Sequence, residues 1–451
     1  MKQDKMAEVQ SHACNQKARV YLETYGCQMN FSDTEIISSI LSDAGYAIAE
    51  SEQVADIIFL NTCAVRENAE QRIRNRLQNL RPLKKQNPKL IVGVLGCMAE
   101  RLREKLFQEE KIVDLIAGPD AYRTLPNLLD LAESGEKAAN VMLSLEETYA
   151  DINPLRKNGH SAFLAIMRGC DNMCAFCIVP YTRGRERSRP MTSILDELKQ
   201  LSDEGTREVT LLGQNVNSYY DENSGTRFAN LMDKASLVNP NMRIRFTTSH
   251  PKDISSELID VIAERKNLCE FIHLPVQSGS SRMLELMNRG HTREDYLEKI
   301  ALIKSKIPNC SISTDMISGF CTETEADHAA TLSLLREVRY DYAFTFVYSV
   351  RPNTPAATRL NDDVPDDVKQ RRLSEVIALQ QKISAELYRN DIGNTHEVLI
   401  EGESKRSSDM WMGRARNNRV VVFPKNGAQV GDFVNVKITD ATSATLIGNA
   451  L

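Results

Sequence analysis

The chain has 451 residues, of which 42% are hydrophobic and 26% charged, with a formal net charge of -5. That length sets a prior of two to four domains, and the composition is that of an ordinary soluble protein. The charge balance excludes binding of nucleic acid through overall positive charge and leaves only a local basic face for that purpose.

No run approaches the apolar length of a membrane-crossing helix, and Met1 to Gln10 carry no apolar export segment. Ten cysteines without such a segment point to reduced thiols or metal ligands in the cytoplasm rather than to disulfides. Residues 1–18 read as a disordered polar tail, with His12 and Cys14 as bystanders.

Arg19 to Tyr25 reads as a strand, and Ile36, Ile37, Ile40 and Leu41 recur at helical spacing before Gly45 stops that helix. Further strands are expected at 55–60, 89–95 and 113–117, with a long charged helix after the first of them. This alternation predicts a parallel α/β sheet. Cys27, Cys63 and Cys97 each fall just beyond a strand's C-terminal end, 36 and 34 residues apart. Loops at the carboxyl ends of parallel strands converge on one crevice, so the three are candidates to share a metal centre. Each alone would more often be a core residue, and spacing leaves both readings open.

Residues 131–158 are polar and read as a linker or peripheral excursion, which gives an N-terminal domain over 19–155. A second domain over 156–384 has strands near 163–167, 208–212, 243–247, 270–273, 311–317 and 342–348, with helical patterns between them. Six β/α units in a row predict an open partial barrel rather than a closed eight-stranded one.

After the first of these strands, Cys170, Cys174 and Cys177 stand at i, i+4 and i+7. Three thiolates on a tight turn suit three corners of a cubane iron–sulfur cluster and leave the fourth iron open. Zinc would want a fourth protein ligand, and the nearest candidates, His160 and Asp171, lack the usual zinc spacing. Just beyond, Arg183, Arg185, Arg187 and Arg189 alternate. In an extended segment they share a face, and arginine forks match phosphate and carboxylate oxygens. Contact with an anion or an RNA backbone is expected there; the plainer alternative is a solvated charged loop. Cys269, Cys310 and Cys321 read as core or incidental. Hydrolytic triads, phosphate-binding lysine loops and dinucleotide glycine fingerprints are missing from the sequence, which leaves redox or radical chemistry as the leading class.

Residues 385–451 change character, with five short strands expected between polar turns, the pattern of a small antiparallel barrel. Lys405, Arg406, Arg414, Arg416, Arg419 and Lys425 give it a basic face. Trp411 and Phe423 are candidates either to stack bases or to fill a small core.

The spacing of Cys170, Cys174 and Cys177 at the end of the first barrel strand resembles that of the radical S-adenosylmethionine (SAM) enzymes. A wider set of motifs resembles their methylthiotransferase branch: Thr24 to Asn30, Asn61 to Arg66, Gly96 to Ala99, Arg168 to Arg189, Leu212 to Tyr219, His273 to Gly279 and Tyr348 to Ala356. The resemblance runs from Arg19 to Leu451 and is strongest to the members that modify isopentenylated adenosine in tRNA.

It implies a methylthiotransferase domain, a radical SAM partial barrel and a TRAM domain, in that order. Cys170, Cys174 and Cys177 would bind the 4Fe–4S cluster that chelates and reductively cleaves SAM, and Cys27, Cys63 and Cys97 an auxiliary 4Fe–4S cluster. Gln214, Ser249, Gln277 and Asp315 would contact SAM or substrate, and Arg183, Arg185, Arg187, Arg189, Arg414, Arg416 and Arg419 the RNA. The implied substrate is the tRNA anticodon stem-loop carrying isopentenyladenosine at position 37, methylthiolated at C2 with one SAM as methyl donor and a second as radical source. A flavodoxin-type electron donor, a monomeric state and no membrane association complete the expectation. Threonylcarbamoyl adenosine and a ribosomal-protein aspartate are the rival substrates within the branch. A non-enzymatic RNA-binding protein with structural clusters is the rival outside it.

Overall fold

The structure, a computed structural model, describes residues 17–64, 67–156, 159–425 and 427–451. The tail expected over 1–18, with His12 and Cys14, lies outside the described residues as far as position 16, as do Val65 and Arg66. Contacts divide the chain into two compact units, Met1–Leu143 and Ser144–Leu451. The division falls earlier than the 155/156 boundary expected from composition. Residues after 143 strap onto the second unit, where the carbonyls of Ser144 and Glu147 accept from Arg187 and that of Ala150 accepts from Ser193.

In the first unit, β1 (Arg19–Thr24), β2 (Ala47–Ile48), β3 (Ile57–Thr62), β4 (Ile91–Gly96), β5 (Leu115–Ala117) and β6 (Ala138–Asn140) form one parallel sheet in the order β2-β1-β3-β4-β5-β6. The central strands β3 and β4 are buried at every position, as strands covered on both faces must be. Ile73, Leu77 and Leu80 of the helix Glu67–Gln86 share a core with Ile58, Leu60, Val92 and Val94. The edge strands β2 and β6 escaped the sequence reading because two or three residues carry no measurable periodicity.

The second unit begins with β7 (Ser161–Ala165), β8 (Glu208–Leu212), β9 (Arg243–Thr247), β10 (Phe271–His273), β11 (Ser311–Ser318) and β12 (Tyr342–Val347). They form two three-stranded parallel sheets, β9-β8-β7 and β10-β11-β12, joined by a parallel bridge between Ile244 and Leu268. The result is the open partial barrel expected. Leu164, Val209, Leu211, Ile244, Phe246, Ile272, Ile312 and Met316 pack against helices through Leu198, Leu231, Ile300 and Leu334. Strand side chains alternate, so the paired positions between them, Thr210 with Arg245 and Asp315 with Phe344, line the inner face.

The chain ends in β13 (Thr395–Ser404), β14 (Ser407–Ala415), β15 (Val420–Pro424), β16 (Phe433–Ala441) and β17 (Leu446–Ala450), a closed barrel in the order β13-β14-β15-β17-β16. It docks at the N-terminal end of β9, where Arg243 donates to the carbonyls of Glu397 and Arg414 at 2.7 and 3.1 Å. Arg245 donates to those of Ala415 and Arg416 at 2.7 and 2.8 Å. The opposite, C-terminal ends of the strands carry the candidate site. Among the described residues no helix is long and apolar enough to cross a membrane.

Candidate functional site

The barrel cysteine loop is fastened at both ends and in its middle. Met167-Arg168 pairs antiparallel with Arg187-Ser188, bringing the loop back beneath itself. Gly169 turns the chain at φ +76°, and a Cβ there would lie 2.0 Å from the Arg185 carbonyl oxygen, so glycine is required. The Cys170 amide donates to Gly184 at 3.2 Å and the Cys177 amide to Cys174 at 3.0 Å. Outside support comes from Ala175 N–H to the Met287 carbonyl at 2.9 Å and from Asn288 Nδ2 to the Met173 carbonyl at 3.0 Å.

Cys170 and Cys174 are buried and Cys177 is half-buried. Burial pushes the Cys170 thiol up to about 11 and that of Cys177 to about 12, with the neighbouring thiols adding to both. Such a set resists ionising alone and ionises readily when a metal takes up the charge, so its chemistry fits a metal–thiolate centre. No three Cys, His, Asp or Glu side chains among the described residues close on one point as they would around a single ion. Cysteines of a four-iron cubane stand farther apart, because each binds a different iron.

In the first unit the three other cysteine loops are neighbours. Thr24 is in register with Asn61 and Thr62 with Gly96, so Cys27, Cys63 and Cys97 leave adjacent strands at the same edge. A Cβ on Gly26 (φ +125°) would lie 2.6 Å from Cys63 Cβ, and one on Gly96 (φ +86°) 2.7 Å from the Thr62 carbonyl oxygen. Asn61 Nδ2 donates to the Asn30 carbonyl at 2.8 Å, and Asn30 Oδ1 lies 3.6 Å from Cys27 Sγ. Cys27 is exposed, and Cys63 and Cys97 are buried.

At the barrel mouth, buried polar atoms lack partners. Ser249 Oγ, Gln214 Oε1, Asn215 Oδ1 and His250 Nε2 have none among the described residues. Buried groups of this kind are normally paired, so the cluster fits a polar ligand. His250 and His291 meet edge-on at 5.8 Å. Burial, with Arg289 nearby, drives His250 down to about 2 and His291 to about 4, which keeps both rings neutral.

The Gln277 backbone exchanges bonds with Asp315 and Ile317 at 2.9 Å each. Asp315 lies on the inner face, 3.5 Å from His273 Nε2. Beside it Phe344 is 48% exposed, with His273 edge-on at 5.8 Å. Sequence reasoning passed over His291, Phe344 and Arg289. The polar turn Asn288-Arg289-Gly290-His291 was the available signal for two of them.

The expected arginine faces need correction. Arg183, Arg187 and Arg189 are buried. Arg187 donates to the carbonyls of Ser144, Glu147, Arg183 and Arg185, and Arg189 is held by Glu197 at 2.7 Å and the Ala165 carbonyl at 3.0 Å. Only Arg185 is exposed, paired with Asp171 at 3.0 Å. The planar five-donor fork of Arg187 satisfies four carbonyls at once, so that side chain serves packing.

In the terminal barrel, Arg416 reaches the carbonyls of Lys266 and Leu268, and Arg419 pairs with Asp341 and Asp391. Arg414 is partly exposed and paired with Glu401 at 3.1 Å. These arginines fasten or brace the barrel. Phe423 is buried in its core, which settles its role as packing. Lys405, Arg406 and Lys425 remain exposed, and Lys425 Nζ sits 4.5 Å above the Trp411 ring.

Residues 19–118 match the uncharacterized protein family UPF0004, residues 164–335 the radical SAM superfamily and residues 389–451 the TRAM domain. A protein of Prosthecochloris aestuarii is 56% identical over 430 residues, covering 95% of this chain and 98% of its own length. One of Bacteroides thetaiotaomicron is 55% identical over 447 residues, 98% of each. Both are called tRNA-2-methylthio-N(6)-dimethylallyladenosine synthase. The structure of the radical SAM methyltransferase TsrM from Kitasatospora setae, with cobalamin and a 4Fe-4S cluster bound, has a TM-score of 0.56 over 84% of this chain and 77% of that one. At 12% identity the likeness is one of fold.

Proposed function

Because the chain belongs to the family of tRNA-2-methylthio-N(6)-dimethylallyladenosine synthases, we propose that it is the enzyme that methylthiolates tRNA at C2 of N6-isopentenyladenosine 37. One SAM serves as methyl donor and a second as radical source. The observation that carries this reading is the pair of cysteine triads, each gathered at strand C-terminal ends in its own unit: Cys27, Cys63 and Cys97 in the first, and Cys170, Cys174 and Cys177 in the second.

Each triad would hold a 4Fe–4S cluster. When bound, the barrel cluster would supply the electron for reductive cleavage of SAM, and the auxiliary cluster would offer a place to hold the sulfur. The residues of this chain bind and orient. The unpartnered atoms of Gln214 and Ser249 are suited to the polar groups of SAM. Asp315 and Phe344 present an acceptor and an aromatic surface to the substrate on the inner wall. Adenosine C2 is unreachable inside a stack, so the base must be splayed out, and a single-stranded loop makes that cheap. Of the cations singled out in the sequence, Lys405 and Arg406, with Arg185 and Lys425 once released from Asp171 and Glu403, are available to an RNA backbone, unlike the buried arginines.

The test is mass spectrometry of nucleosides from isopentenylated tRNA after anaerobic incubation with reconstituted enzyme, SAM and a reductant. Wild type is expected to add the methylthio mass. Cys170→Ala should form no 5′-deoxyadenosine, whereas Cys27→Ala should retain uncoupled cleavage and insert no sulfur. Normal cleavage by the first variant, or normal insertion by the second, defeats the division of labour. Cleavage by wild type without product on this tRNA moves the substrate to threonylcarbamoyl adenosine or a ribosomal protein.

A further inference from the structure

We propose that Arg289 is a built-in counter-charge for the barrel cluster, a positioning residue that makes the cluster easier to reduce; this rests on the reading that Cys174 is a cluster ligand. Arg289 follows the helix Ser281–Leu286, its amide bonded to the Leu284 carbonyl at 2.9 Å, and is only 5% exposed. Nη1 stands 3.2 Å from Cys174 Sγ and Nη2 donates to the Pro275 carbonyl at 2.5 Å. Its Nε is buried without a partner among the described residues.

A buried guanidinium is costly unless an anion or a full set of acceptors faces it, and Arg289 has one carbonyl. Arg289 has no carboxylate partner among the described ion pairs, unlike Arg189, Arg245, Arg372 and Arg419, which are buried or nearly so and each meet one. The two imidazoles near it, His250 and His291, supply no negative charge in either protonation state. The remaining candidate is the sulfur it already touches. The arrangement therefore calls for an anionic sulfur at Cys174, which a cluster thiolate provides.

Adding one electron to a bound cluster makes it more negative by one charge. A fixed cation and a hydrogen bond to its sulfur favour that reduced form, and hydrogen bonds to sulfur are among the protein's means of setting cluster potentials. The same anchor holds the loop from outside, because Asn288, the preceding residue, grips the Met173 carbonyl.

The experiment uses the full chain with Cys27, Cys63 and Cys97 all changed to alanine, so that only the barrel cluster forms after reconstitution with iron and sulfide. Its midpoint is read by dithionite titration followed by electron paramagnetic resonance, with neither SAM nor RNA present. In that background Arg289→Met and Arg289→Gln are expected to shift the oxidised-to-reduced ratio at least tenfold toward oxidised, ~59 mV for a one-electron couple. Arg289→Lys should restore most of the difference.

A neutral variant with full iron content and the parental midpoint overturns the inference. If neither neutral variant holds iron, retention by Arg289→Lys supports a requirement for charge, and loss there too overturns it in favour of a purely steric role. A parent that shows no 4Fe–4S signal at all removes the cluster reading itself, which is a different failure.

Discussion

Arg419→Met separates docking from RNA binding. The guanidinium bonds Asp341 at 3.0 and 2.5 Å and Asp391 at 2.7 Å, above the Tyr388 ring at 5.0 Å. Side-chain exposure is 14% for Arg419, 8% for Asp341 and 6% for Asp391. Burial alone would raise the Asp391 carboxyl, but bonds from His396 and Asn394 and the charge of Arg419 outweigh it and hold the group well below the usual carboxylate range.

Methionine keeps the aliphatic bulk and strands two buried carboxylates without their cation. Breaking a buried pair in this way costs about 3–5 kcal/mol. The sign with pH follows from the carboxylates. Asp391 contributes stability above the unfolded carboxylate range and loses it as pH falls through its depressed folded value. Without Arg419 the folded value of Asp391 rises, so the deficit is largest near neutrality and closes in acid.

Urea unfolding followed by circular dichroism, at neutral pH and near the carboxylate range, measures it. Fluorescence anisotropy with a labelled anticodon stem-loop tests binding by the folded fraction. The paired change Lys405→Ala with Arg406→Ala should behave oppositely, with stability within about 0.5 kcal/mol of wild type and a salt slope shallower by about one per lost phosphate contact. An Arg419→Met protein of wild-type stability that had lost RNA affinity would refute the reasoning.

Two further expectations concern the inner wall and the first unit. Base–aromatic stacking is worth about 1–3 kcal/mol per base, so Phe344→Ala should raise KM for isopentenylated RNA by roughly five- to 150-fold while leaving RNA-independent 5′-deoxyadenosine formation unchanged. An unaltered KM would remove Phe344 from the substrate wall. Glu100 is buried, with Oε2 unpartnered among the described residues, and burial raises its carboxyl to about 7 from an ordinary 4.5. The raised group contributes stability that is complete below pH 4.5 and lost as pH rises through about 7. Melting temperatures of wild type should fall across that window and those of Glu100→Gln should not; equal slopes would sink the assignment.

Much of the architecture was legible because it rests on local periodicity. The buried runs of β3 and β4, the six barrel strands and the small terminal barrel were read from alternation, apolar runs and turn residues. The positions of all six candidate cluster cysteines, just after strand ends, were legible for the same reason. Arg183, Arg187, Arg189, Arg416 and Arg419 were misread. A charge pattern says that a cation is present, but not whether its fork ends in water, on a phosphate or on a backbone carbonyl. For Arg187, Arg189, Arg416 and Arg419 the partners lie in other segments, as with Asp341, 78 residues from Arg419.

The sequence by itself determined the longer elements and the class of chemistry the chain carries, since hydrophobic period and thiolate spacing act over a few neighbouring residues. Tertiary structure alone decided what each polar side chain is for. It buried Arg289 against Cys174, left the Ser249 and Gln214 oxygens unpartnered at the mouth, and closed the other end with the terminal barrel. Burial and pairing set the cost of a charge or a polar atom, and both depend on segments that meet only after folding.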